Sequence, residues 1–93
     1  VKNRQAFEKQ VAQRIGENVA KLRKDRGWDR KEVAGSLGIS DDYLGKVERG
    51  QRSLSPGDLV RLAYLFGIDI DRLVFGPGER PKLLPLNKID LAE

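Results

Sequence analysis

This chain of 93 residues contains no cysteine and no histidine, and only one tryptophan among 6% aromatics. Without cysteine there is no disulfide scaffold and no thiol nucleophile. Without histidine there is no Ser-His catalytic arrangement, and lacking both, no Cys/His metal site. No apolar run approaches the ~18–20 residues that span a bilayer, and the start shows no signal-like hydrophobic segment. The expectation is a cytoplasmic protein with no cofactor that is not an enzyme. The one neighbouring carboxylate pair to propose, Asp41-Asp42, sits exposed at a helix start and lacks the buried surroundings that tune acid–base pairs. The chain opens on Val1 and not on Met, the pattern of a trimmed chain or a fragment.

What is present is the composition of one globular domain, 39% hydrophobic and 34% charged. A core of this size yields only a few kcal/mol net, so oligomerisation is no surprise. The net charge is +4, and its placement says more than its size. Residues 1–26 hold eight Lys/Arg against three Asp/Glu, and the remainder nearly cancels. A basic first helix suits phosphate anchoring as well as it suits a merely solvated face.

The apolar pattern is helical throughout. Phe7, Val11, Ile15, Val19 and Leu22 step by four and three, predicting a helix from Lys2 to about Asp25. Gly16 interrupts it at a cost of about 1 kcal/mol against Ala, so one long helix and two segments both remain open. Phe7 either covers the domain's own core or meets its twin in a dimer. Gly27 ends this helix. Asp29 is placed as an N-cap with Glu32 completing a capping box, and Trp28 as a staple on Val33 rather than a stacking surface for a base. Arg30 to Val47 reads as two short helices. Val33, Ala34 and Leu37 form one apolar face; Tyr43, Leu44 and Val47 form the other. The turn Leu37-Gly38-Ile39-Ser40 joins them, with Gly38 supplying a positive φ. Ser40 caps the second helix. Ser55 with Pro56 starts a fourth helix reaching Phe66, and Asp69 is expected to cap a short fifth one bearing Ile70, Leu73 and Val74. Beyond Phe75, Gly and Pro forbid regular structure, yet Leu83, Leu84, Leu86, Ile89 and Leu91 are too apolar for a purely solvated tail.

Two helices hinged in this way form a helix-turn-helix, whose second helix fits a DNA major groove. Several features recur in register: Arg26-Gly27-Trp28, Glu32-Val33-Ala34, Leu37-Gly38-Ile39-Ser40, Tyr43-Leu44, Val47-Glu48-Arg49-Gly50 and the run Leu59 to Gly67. In these features the chain resembles the Cro and phage-repressor (XRE-type) family. The resemblance implies an all-α, five-helix, lambda-repressor-like bundle. It would comprise an N-terminal helical extension over 1–10, a helix-turn-helix domain over 11–75, and a linker or irregular C-terminal arm over 76–93.

Where that family's motif contacts bases, this sequence has Asp41, Asp42, Gly45, Lys46 and Arg52. Lys46 can reach guanine O6 and N7. Asp41 and Asp42 depart from the family's frequent Gln or Arg, and either accept from cytosine N4 or only stabilise the helix start. Gly45 either permits close approach to the groove or is incidental. Arg30, Lys31 and Arg49 are the expected phosphate contacts, Arg30 standing where the family often has Gln. The family pattern also suggests a structural ion pair between Arg23 and Glu48.

The implied function is a sequence-specific, double-stranded-DNA-binding transcriptional regulator, a repressor, acting as a homodimer on a roughly palindromic operator. Helix 5 with Ile70 and Phe75, the N-terminal extension, and the Leu-rich tail are all open as dimer surfaces. The alternative is a protein-interaction module, such as an antitoxin that neutralises a partner protein through the apolar arm at 83–91.

Overall fold

Apolar side chains at helical spacing organise the computed structural model, which describes residues 2–78. Those residues form α1 (Lys2–Asp25), α2 (Arg30–Leu37), α3 (Asp41–Glu48), α4 (Pro56–Phe66) and α5 (Ile70–Phe75), with no strand among them. The apolar tail positions from Leu83 to Leu91 lie outside the described residues.

One core joins all five helices. Ile15, Val19 and Leu22 of α1 meet Val33, Ala34 and Leu37 of α2, Leu44 and Val47 of α3, Leu62 and Phe66 of α4, and Leu73 of α5. Burial fades toward the start of α1. Ile15 is buried, Val11 is partly so, and Phe7 borders an open groove of about 440 Å³ with Val11, Leu54 and Leu59.

Gly16 does not break α1, which runs as one helix. Its role is steric: a Cβ built there would stand 2.1 Å from the carbonyl oxygen of Val47. Only glycine lets α1 and α3 touch backbone to backbone. The helical pattern registered a propensity cost at this position, and the crossing explains it.

Local signals start the helices. Asp29 Oδ1 accepts from the Lys31 amide at 3.2 Å while Glu32 Oε1 accepts from the Asp29 amide at 3.3 Å. Ser40 Oγ accepts from the Tyr43 amide at 3.0 Å, and Ser55 Oγ from the Asp58 amide at 3.1 Å. Asp69 differs from expectation. Its backbone is extended as an N-cap requires, but its side chain makes no capping hydrogen bond. The short α5 is secured from α1 instead, where Asn18 Nδ2 donates to the carbonyls of Leu73 (2.8 Å) and Val74 (3.3 Å). These bonds satisfy acceptors that a helix C-terminus leaves open.

Trp28 does more than staple α2. It borders one hollow with Val33, and its ring lies parallel on Phe66 at 5.5 Å. The Arg26 guanidinium covers both rings and donates to the Phe66 carbonyl at 2.7 Å. The end of α1 is thereby tied to the end of α4.

Candidate nucleic-acid interface

The turn between α2 and α3 rests on Gly38, which sits at φ 74°, ψ 26°. In that left-handed conformation the amides of Gly38 and Ile39 donate back to the carbonyls of Gly35 (3.2 Å) and Ala34 (3.0 Å). A side chain at Gly38 would be strained there. The turn sets α3 across the core on Leu44 and Val47 and leaves its other side facing outward.

An ion pair fixes the tilt of α3 against α1. Arg23 Nε donates to Glu48 Oε2 at 2.7 Å and Nη2 to Oε1 at 3.0 Å, with the two side chains only 13% and 9% exposed. Arg23 Nη1 also donates to the Trp28 carbonyl at 3.0 Å. The hydrogen bond to Glu48 raises the Arg23 pKa further above its ordinary value, outweighing the cost of burial. A bidentate pair of this kind fixes an angle between helices more than it adds net stability.

The outer side of α3 is polar and crowded. Asp42 and Lys46 pair one turn apart at 3.3 Å. Arg49 Nε donates to Gln51 Oε1 at 3.4 Å. Arg52 is exposed in the following loop, which Tyr43 holds by donating its hydroxyl to the Ser53 carbonyl at 2.6 Å. Lys31 is exposed on the first turn of α2.

Three of the candidate positions meet one another. Arg30 is a candidate for a phosphate, and Asp41 for a base or for the helix start alone. They are bonded to each other, Nε to Oδ1 at 2.7 Å and Nη2 to Oδ2 at 3.1 Å. Gly45 of α3 is buried. A Cβ there would meet Arg30 Nη1 at 3.0 Å, Arg30 Cζ at 3.1 Å and Arg49 Nη1 at 3.2 Å. The contact also shifts both charges: the hydrogen bond from Arg30 lowers the Asp41 pKa, and the same bond raises that of Arg30. A signal was available in the sequence. Asp41, Gly45 and Arg49 form one i, i+4, i+8 row, so a small residue lies between charges of opposite sign. Only the fold brings Arg30 of α2 onto that row.

The surface as built offers long donors and acceptors on a helix whose backbone is immobilised from behind. That combination suits recognition of an extended polyanion that presents patterned base edges.

Residues 14–74 match the family model described as helix-turn-helix domain. The uncharacterized HTH-type transcriptional regulator y4dJ of Sinorhizobium fredii is 36% identical over 67 residues, 72% of this chain and 87% of that protein. The HTH-type transcriptional regulator RamB of Mycobacterium tuberculosis is also 36% identical, over 55 residues, which are 59% of this chain but 12% of RamB. The chain thus spans most of one relative and a small part of the other. Among solved structures, the restriction-modification controller protein C.AhdI from Aeromonas hydrophila superposes with a TM-score of 0.64 at 29% identity. That match covers 70% of this chain and 94% of that one.

Proposed function

Because the chain belongs to the helix-turn-helix domain family, we propose that it is a sequence-specific, double-stranded-DNA-binding transcriptional regulator, and within that class a cytoplasmic repressor. The observation behind this reading is the two-sidedness of α3. Leu44, Val47 and the Arg23–Glu48 pair hold it from behind, while Asp42, Lys46 and Arg49 stand on its open side.

In the complex α3 lies in the major groove. Lys46 donates to a guanine edge, Asp42 accepts from a cytosine amino group, and Arg52 reaches a base from the loop. Lys31 and Arg49 neutralise phosphates, helped by the amides at the start of α2. The protein acts as a homodimer on a roughly palindromic operator and represses by occupying that duplex. Support for a dimer comes from Val60, Tyr64 and Ile70, large apolar side chains left exposed on α4 and at the start of α5. Ile70 is exposed and Phe75 half-buried. The partner-neutralising alternative rests on residues 83–91, outside the described residues, and no observation favours it.

Selection of binding sites from random duplex DNA tests the reading. The expected result is an inverted repeat whose half-sites lie about 34 Å apart, one helical turn. Recovery of unenriched sequence at low ionic strength would rule out sequence-specific binding.

A further inference from the structure

The row Asp41, Gly45, Arg49 holds an arrangement that an ordinary solvated helix face does not need. Asp41 grips Arg30 side-on through Nε and Nη2. A guanidinium has five N–H donors in a fixed fork, so this grip leaves the outer edge, Nη1 and the second N–H of Nη2, unspent. Nη1 lies on Gly45, where a Cβ would stand 3.0 Å from it. The pair is open to solvent, with side chains 37% and 31% exposed.

We propose that Arg30 and Asp41 together read one G·C base pair, on a floor that Gly45 supplies. This rests on the reading that α3 enters the major groove. Guanine offers O6 and N7 as acceptors there, and its cytosine partner offers the N4 amino group as a donor. The outer fork of Arg30 matches the first, and the unused lone pairs of Asp41 match the second. Side-on pairing also fixes the guanidinium plane before DNA arrives, so less freedom is lost on contact.

A phosphate fits the same place poorly. It would approach Asp41 and Asp42 on the first turn of α3, and the Arg30 charge is already matched by a carboxylate. A neutral base edge meets no such repulsion. Arg49, whose Nε bonds only a neutral amide on Gln51, keeps its charge for the backbone. Arg30 therefore moves from the phosphate contacts to the base contacts, and Asp41 acts as its positioning residue as well as a reader.

The test is site selection followed by titration of the selected duplex and its single-base variants with wild type, Arg30→Ala, Arg30→Lys, Asp41→Ala and the Arg30→Ala/Asp41→Ala double variant. Thermal melting by circular dichroism confirms that each is folded. The wild type should prefer G·C at one half-site position by about 5- to 150-fold, the discrimination of one bidentate arginine–guanine contact. Both alanine variants should lose preference at that same base pair, and the double variant no more than either single one. Arg30→Lys keeps the charge but not the fork, so it should leave the salt dependence unchanged and still lose preference. Uniform weakening on every sequence in Arg30→Ala, with a shallower salt slope restored by Arg30→Lys, would assign Arg30 to a phosphate and overturn the proposal. So would preferences unmoved by any variant. A wild type that selects no sequence at all would instead remove the regulator reading on which this depends.

Discussion

Lys46 of α3 and Arg30 of α2 both border the open side of α3, but what holds each of them differs. Lys46 pairs with Asp42 one turn away, at 3.3 Å, and the Asp42 side chain is 76% exposed. Exposed i, i+4 pairs contribute about 0.3–0.5 kcal/mol, so on the proposed reading releasing Lys46 to a base costs little. Lys46→Ala is expected to lose ~1–3 kcal/mol on the best site and to relax preference at one base pair, read by titrating single-base variants. Equal loss on every sequence would refute base reading. Asp41 is held more firmly. Hydrogen bonding from Arg30 keeps its carboxyl below the usual range, and the charges of Arg30, Lys31 and Arg23 act in the same direction. A carboxylate whose pKa is lowered by folding stabilises the fold above its unfolded pKa, and the contribution is lost as pH falls through the lowered value. Denaturation midpoints of wild type and Asp41→Asn should therefore differ near neutral pH and converge on acidification. A gap that persists unchanged into acid would show that the ion pair is not its source.

Two glycines inside helices make opposite predictions at the scale of the elements. At Gly16 an added methyl would meet the Val47 carbonyl, backbone that cannot move without separating α1 from α3. Gly16→Ala should destabilise by about 1–3 kcal/mol despite its better helix propensity. At Gly45 the neighbours are the ends of Arg30 and Arg49, which can give by a few tenths of an ångström. Gly45→Ala should leave stability unchanged or raise it by up to about 1 kcal/mol. Denaturant melts of the two variants check the contrast, and similar shifts in both would contradict the close crossing. These glycines also mark where the sequence stopped being legible. Helix starts at Asp29, Ser40 and Ser55 could be read because a cap and its amide lie within three residues. The apolar steps of α1 were legible too, since periodicity reports the buried face directly. Gly16 reads only as poor propensity until a second helix is laid across it. Arg30 and Asp41, eleven positions apart in sequence, meet only because the turn at Gly38 brings two helix starts together. Asp69 was legible as the N-cap position of α5, but not that its side chain makes no capping bond or that Asn18 of α1 secures the other end of that helix.

For the molecule as a whole, the proposed function requires one small domain to acquire enough affinity to occupy an operator. A single helix in one groove segment is limited to a few base contacts plus phosphate neutralisation that falls away with salt. Joining two copies makes the second half-site contact intramolecular, which raises avidity by about 10²–10⁴-fold when the spacing fits. Val60, Tyr64 and Ile70 surround a hollow of about 420 Å³ completed by Ala63, Gly67, Ile68 and Asp69, on the side of the fold formed by α4 and α5. Tyr64 is 83% exposed, so replacing it should leave the core intact while placing a charge where two copies would meet. Tyr64→Lys is therefore expected to melt like wild type but to sediment as a monomer at concentrations where wild type is dimeric. Its affinity for a duplex with both half-sites should drop to its affinity for one half-site, although the added lysine increases its positive charge. Sedimentation unchanged from a dimeric wild type would place the two-fold contact on another surface. A wild type that is itself monomeric on and off DNA would leave the half-sites uncoupled and the homodimer reading without support.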